Sequence, residues 1–464
     1  MNSILILPNE VLDHIFSYLI TEDLKRSKLV CRRWYHQLTS PRYWKMMRLQ
    51  LEPCRLTQGI TDALVQDAEE GKYNCIELFD PTPNGLPSQE SVESTVKLLE
   101  ACGFSLYDLR LTDCSKSTLA IVSRTMGKMC RLQHLTVNST VGKLPEIPRT
   151  FFESMELVYV THLDVCLANE YAVELVSVLA PKLKYLTLRM IFKELLVRCL
   201  NEIHLPALRS LTVVNPVNSW ILNGIGPGEF NDGCWRTLAQ LETLRINNYS
   251  RIGRIVVDEM LEHCRNVKCL TIEHGTITNQ GIDLIDELKG LKYLKLILWK
   301  YFGGEDLVRK PVIQLPNLEH VHLLTAVGIR LGEQLPKLAS VIIEGPDTYA
   351  HATELLSEVI QIDGIERRKL QKLLLKVVTL DWQTDAWLYI LSIEELSLEG
   401  CRIDASLLDV IVEAVVHRRI FKLVMLNCTF FSTGHTQLGG VRTIAGLRAK
   451  CPCLKISENG TSYE

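Results

Sequence analysis

The chain has 464 residues, 47% apolar and 23% charged, with 51 Lys and Arg against 54 Asp and Glu. That composition excludes wholesale disorder, and a net charge of −3 lacks the positive excess that draws a chain to phosphates, so nucleic acid is not an expected partner. No window approaches about 18 uninterrupted apolar residues, so no membrane span is expected either. The opening residues, Met1 to Glu10, carry no basic leader, and the 15 cysteines are scattered and odd in number. The expectation is a cytoplasmic and/or nuclear protein with reduced thiols.

In chain order, residues 4–48 read as short amphipathic helices. Pro8 suits a first helical turn, where its missing N–H costs nothing, and Glu10 suits the helix dipole there. Val11, Leu12, Ile15, Phe16 and Leu19 then form an apolar stripe at helical spacing. Thr21 can cap a second helix in which Leu24, Val30, Cys31, Trp34 and Leu38 recur. Thr39-Ser40-Pro41 breaks it, and Tyr43, Trp44 and Met47 come next on a short third segment. Roughly 45 residues in three short helices make a poor independent core, so this unit is expected to complete its core against another protein.

The run Leu7-Pro8-Asn9-Glu10-Val11, then Ile15-Phe16-Ser17-Tyr18-Leu19, Asp23-Leu24 and Val30-Cys31-Arg32-Arg33-Trp34, with Trp44 beyond, resembles an F-box. The resemblance implies docking onto a Skp-type adaptor, which links the chain to a cullin, a RING protein and a ubiquitin-conjugating enzyme. Carried over by position, Leu7, Pro8, Val11, Leu12, Ile15, Phe16 and Leu19 match the adaptor-contacting first helix. Leu24, Val30, Cys31 and Trp34 match the second segment, which supplies both contact and internal packing.

Residues 51–100 join this module to the rest as a linker and cap. Asp80-Pro81-Thr82-Pro83-Asn84-Gly85-Leu86-Pro87 forms turns on the surface. Cys75 to Phe79 sits near the period of the downstream repeats and is a candidate cap strand, and Ser91 can cap a helix through Val92, Val96, Leu98 and Leu99.

From residue 101 to 464 an apolar-x-x-apolar-x-apolar pattern recurs thirteen times, from Leu106/Leu109/Leu111 to Ile420/Leu423/Met425. Successive central residues lie 20 to 33 apart with a mean near 26, within the roughly 20–29 residues of leucine-rich repeats. Two apolar residues two apart on a strand share one face, and only stacked neighbours can bury it. Helical stripes fall between: Asn279 leads into Ile282, Leu284, Ile285 and Leu288, and Asp404 precedes Leu407, Leu408, Ile411, Val412 and Val415. The expected fold is α/β: an N-terminal three-helix F-box over 1–50, then a curved leucine-rich-repeat solenoid with parallel strands on the concave face and a C-terminal cap. Cys114, Cys401 and Cys428, each three residues past the last strand position, resemble the cysteine-containing class of these repeats and read as buried structural thiols.

No nucleophile motif, P-loop or metal-protease pair appears, and no cofactor or metal is expected. Cys451-Pro452-Cys453 and the pair His320 and His322 each lack enough partners for a metal site, and the two histidines read as exposed strand residues. The segment 215–235, with Trp220, Phe230 and Trp235, either folds under the repeats or is offered to a partner. The whole chain looks like the F-box/leucine-rich-repeat subfamily, which implies a non-catalytic substrate-recognition subunit of an SCF-type ubiquitin ligase, its unidentified protein target held on the strand face. Outward strand positions offer Arg189, Arg245, Glu273, Tyr293, Lys295 and His322 for that target. Two other readings stay open: a scaffold held by the adaptor without directing ubiquitylation, and a receptor whose pocket holds a small molecule that helps bind the target.

Overall fold

A computed structural model describes residues 7–431 apart from 17, 20, 39–47, 72, 81–87, 140–144, 156–157, 216–227, 249–257, 276, 278, 299–311, 325–329, 332–334, 346–349, 352–367, 381–390 and 418–419. The expected third helical segment around Trp44, the Pro-rich turn after Asp80, Trp220 and the C-terminal cap beyond 431 lie outside the described residues. The chain divides into two compact units, Met1–Leu208 and Arg209–Glu464.

The first unit opens with helices α1 (Asn9–Phe16), α2 (Thr21–Ser27) and α3 (Arg32–Leu38). The Leu12 N–H donates to the Pro8 carbonyl, which puts Pro8 at the cap of α1, one residue ahead of the first turn expected for it. The single helix expected from Thr21 to Leu38 is instead two. At its middle, Leu29 N–H and Val30 N–H bond three residues back, to Arg26 and Ser27, which tightens the chain into a turn. Cys31 then starts α3: its carbonyl accepts from Tyr35 N–H, and its sulfur from Trp34 N–H at 3.5 Å.

Strands and helices alternate from there: β1 (Arg48–Leu51), α4 (Gln58–Glu69), β2 (Cys75–Phe79), α5 (Gln89–Cys102), β3 (Asp108–Thr112) and α6 (Lys116–Thr125). β4 (His134–Asn138), α7 (Arg149–Met155), β5 (His162–Leu167), α8 (Glu170–Leu179), β6 (Tyr185–Met190) and α9 (Lys193–Glu202) complete the unit. All six strands pair in parallel, in chain order. The ladder thus begins at Arg48, and the segment Cys75–Phe79 is its second rung. The cap of α5 is Ser88, whose Oγ accepts from Ser91 N–H at 3.1 Å, three residues ahead of the cap expected at Ser91. Ser115 and Asn169 cap α6 and α8 in the same way, at about 1 kcal/mol each.

The second unit carries β7 (Ser210–Asn215), α10 (Asp232–Ala239), β8 (Thr243–Asn248), α11 (Asp258–His263), β9 (Cys269–Gly275), α12 (Asn279–Glu287) and β10 (Tyr293–Leu298). Then come β11 (Val312–Ile313), β12 (His320–Leu324), β13 (Arg330–Leu331), β14 (Ser340–Glu344), β15 (Ala350–His351) and β16 (Arg368–Lys376). β17 (Val378–Leu380), β18 (Leu391–Glu399), β19 (Arg402–Asp404), α13 (Ala405–Val416), β20 (Ile420–Leu426) and β21 (Thr429–Phe431) end the described chain. The parallel ladder here runs β7-β8-β9-β10-β12-β14-β16-β18-β20, and β15-β17-β19-β21 form a smaller parallel sheet beside it.

Register is set where each strand starts. The carbonyl just ahead of one strand accepts two N–H groups from the next: Tyr107 O from Gln133 and His134, Gln133 O from Thr161 and His162, Thr161 O from Lys184 and Tyr185. Arg209, Glu242, Lys268, Lys292, Glu319 and Ala339 repeat the fork through the second unit. Leucine therefore lands on leucine: Leu109 on Leu135, Leu135 on Leu163 and Leu163 on Leu186 in the first unit. Every position of the thirteen apolar triplets is 4% exposed or less. Each such side chain contributes about 1.5–3 kcal/mol of burial.

The strand ends turn through left-handed residues. Asp113, Gly400 and Asn427 have φ of 52°, 60° and 52°, and each swings the following cysteine inward. The thiols of Cys114, Cys401 and Cys428 then donate to carbonyls of the preceding rung, Leu78 at 3.3 Å, Leu375 at 3.3 Å and Leu398 at 3.4 Å. These are the buried structural thiols expected from their spacing. Val377 fills the equivalent corner at φ 51°, which a β-branched residue tolerates poorly. Gly345 packs under it, since a Cβ there would lie 2.1 Å from the Val377 carbonyl. Val377→Asn should relieve about 1 kcal/mol of strain and raise the urea midpoint of the second unit. An unchanged or lower midpoint would count against strain at that corner.

Candidate functional site

Among the described residues the helical module has a small interior. Leu12, Phe16, Leu24 and Leu38 are its fully buried side chains among the described residues, with Leu7, Ile15, Leu19 and Trp34 packed partly buried against them. The Phe16 and Trp34 rings meet edge to face at 5.0 Å. Arg33 on α3 donates to the Leu7 carbonyl at 2.6 Å and to Asn9 Oδ1 at 2.8 Å, and Gln37 donates to Asp13 at 2.6 Å, so α3 clamps the start and the middle of α1.

Of the sequence-expected adaptor set, Leu12, Phe16 and Leu24 therefore face inward, and Leu7, Ile15, Leu19, Cys31 and Trp34 are half-buried. Pro8, Val11 and Val30 face solvent, Val11 at 41% and Val30 at 59% exposure. Pro8, Val11 and Ile15, three and four apart, share one side of α1. Tyr18, Leu29 and Tyr35 are also outward, Leu29 at 86%, and helical periodicity does not single them out. Leu29 sits in the turn between α2 and α3, which a continuous-helix reading of this stretch hides. The Trp34 indole N–H is enclosed without a hydrogen-bond partner among the described residues.

The strand face carries the second set. Arg189 on β6 makes a bidentate pair with Asp164, at 2.8 and 2.7 Å. In the second unit Lys295 pairs with Glu273, and Tyr293 tilts towards His320 with ring centroids 6.5 Å apart. His322, expected on the exposed face, is only 8% exposed, because its Nε2 lies 3.0 Å from Glu344 and its neighbours crowd it. That bond holds the Glu344 carboxyl below its ordinary pKa. Arg245 alone of these six is exposed. The aromatic segment also resolves in part: Phe230 is buried, and Trp235 sits in α10 with its ring stacked on His263 at 4.3 Å.

Sequence reasoning missed a column of rings at the heads of β3–β6. Tyr107, His134, His162 and Tyr185 follow one another at centroid distances of 4.6, 3.9 and 4.1 Å. The signal was available, since His134, His162 and Tyr185 each stand one residue ahead of the central leucine of their repeat. Burial, with the nearby His134 and Lys184, pushes the His162 imidazole from 6.5 down to about 4. Burial likewise lowers His134. Between those two pH values the unfolded chain binds a proton at His162 that the folded chain refuses, so stability falls as pH drops through 6.5 towards 4. We expect the urea midpoint to fall over that window, and to fall less in a His162→Gln variant. Equal losses in both proteins would show that the column does not carry this acid sensitivity.

Comparison with known proteins adds four findings. No curated protein matches the chain. Among solved structures, an internalin (inlF) from Listeria monocytogenes str. 4b F2365 aligns with 10% identity over 91% of this chain and 90% of its own, at a TM-score of 0.29. The Rad7 and Elc1 complex in yeast aligns with 12% identity over 95% of this chain and 96% of its own, at a TM-score of 0.34. The F-box-like family model matches residues 4–50, the stretch that contains α1, α2 and α3.

Proposed function

We propose that this chain is the substrate-recognition subunit of an SCF-type ubiquitin ligase. The helical module docks onto a Skp-type adaptor, and through it onto a cullin, a RING protein and a charged ubiquitin-conjugating enzyme. The repeat ladder behind it presents a protein target. The observation that carries the reading is the module's lopsided burial. Within a stretch that matches an F-box-like model, four side chains are fully buried among the described residues, while Val11, Tyr18, Leu29, Val30 and Tyr35 stay 41–86% exposed. Apolar groups held outward on a clamped helical frame favour an anchor-in-pocket interface, in which a few buried side chains supply most of the binding energy.

The chain performs no chemistry in this scheme. It raises the effective concentration of the target's lysines near the conjugating enzyme. The module would be held to the adaptor chiefly by Pro8, Val11, Leu29 and Val30, with the inward Leu12, Phe16 and Leu24 keeping those groups in place.

Val11→Glu combined with Val30→Glu alters only exposed positions, so the helical signal of the chain should be kept. Each buried anchor of this kind is worth about 2–4 kcal/mol, so adaptor and cullin should both drop out of co-purification with the double variant. Adaptor retained by the double variant would overturn the docking assignment. Adaptor captured by the unaltered chain without cullin would overturn the ligase assignment.

A further inference from the structure

The ring column at the heads of β3–β6 has an unusual electrostatic setting. The carboxylates on the face beside it are matched within the chain: Glu77 by Arg48 at 3.3 Å, Asp108 by Arg110 at 3.1 Å, and Asp164 by Arg189 at 2.7 Å. The cations at the strand heads are not. Arg131, three residues ahead of His134, and Lys184, one ahead of Tyr185, are exposed and have no acidic partner among the described residues. At the heads of the second unit the arrangement is the reverse. There Arg209 and Lys268 both pair with Glu242, and Lys292 pairs with Glu319 at 3.0 Å.

The rings themselves are ordered by the carbonyl forks that fix each rung, so the column is preformed. His134 and His162 stack at 3.9 Å and His162 and Tyr185 at 4.1 Å, with interplanar angles of 26° and 10°. Stacking covers the faces of the two histidines, the His134 Nε2 is enclosed and the His162 Nδ1 lies 2.9 Å from the Thr161 hydroxyl, and the tyrosines at the two ends are the exposed rings of the column. Tyr107 at 40% and Tyr185 at 46% exposure end the column, and Tyr159, three residues ahead of His162, is 58% exposed.

We propose that this strip, Tyr107, His134, His162 and Tyr185 with Arg131 and Lys184, is a docking surface for an acidic, extended protein segment. Its carboxylates meet the two unmatched cations, its apolar side chains pack on the exposed tyrosines, and its backbone lies along a surface that needs no rearrangement. A single-stranded nucleic acid fits less well. Bases bind by stacking on open ring faces, and the two histidines have spent theirs on one another and on the flanking tyrosines. None of these residues lies in the helical module, so the strip does not depend on the ligase reading.

Fluorescence anisotropy of the full chain with a labelled glutamate-rich peptide carrying one tyrosine tests it. The peptide should bind, and Arg131→Glu with Lys184→Glu should weaken it about tenfold or more, with salt weakening the unaltered chain in the same direction. Tyr185→Ala, at an exposed ring, should weaken it as well. Lys292→Glu, at the paired heads of the second unit, should leave it unchanged. Absence of binding, equal weakening by Lys292→Glu, or equal or tighter binding of the lysine counterpart or of a single-stranded oligonucleotide would overturn the proposal. Adaptor capture measured on the same preparations reports separately on the ligase reading.

Discussion

The structure depends on the paired N–H groups that converge on one carbonyl ahead of each strand. A five-residue strand with two inward leucines buries nothing by itself. Once Gln133 and His134 both donate to Tyr107, the next strand has one allowed register, and its leucines must sit on those before them. A slip by one residue would turn every apolar side chain to the opposite face. The same fork aligns the outward residues, which therefore fall into straight columns. What this face can bind is decided by which side chains share a column.

Columns with opposite charges neutralise themselves. Glu395 is bonded by both Lys372 and Lys422, and Lys376 reaches Glu399, so much of the charge on the second unit's face is engaged within the chain. Exposed pairs of this kind add little stability, about 0–1 kcal/mol each. Their larger effect is on recognition, because a paired charge attracts a partner less than a free one. The first unit differs where its strands begin, with rings in one line and unmatched cations beside them. Two ladders built on one repeat thus offer chemically different edges.

The helical module obeys another logic. Among the described residues its fully buried interior is four side chains, and the turn at Lys28–Val30 places two large apolar side chains in water. Such exposure is costly in a lone domain and ordinary at a docking face. The Arg33 clamp, which joins α3 to the chain ahead of α1, holds the exposed residues in a fixed arrangement.

The sequence alone determined the repeat, the α/β class, the buried triplets and the inward cysteines, because each comes from spacing along the chain: two residues on a strand, three to four on a helix. It also marked the module by the order of Leu7, Pro8, Val11 and Trp34. Tertiary structure alone decided which apolar residues of that module turn inward, since Leu12 and Val11 are alike in composition and differ only in the direction they face. It also decided that Glu273, Lys295, His322 and Arg189 engage neighbours and that His134 stacks on His162. Those partners sit on separate strands more than twenty residues apart, and local periodicity carries no information about which residue stands beside which until register is fixed in three dimensions.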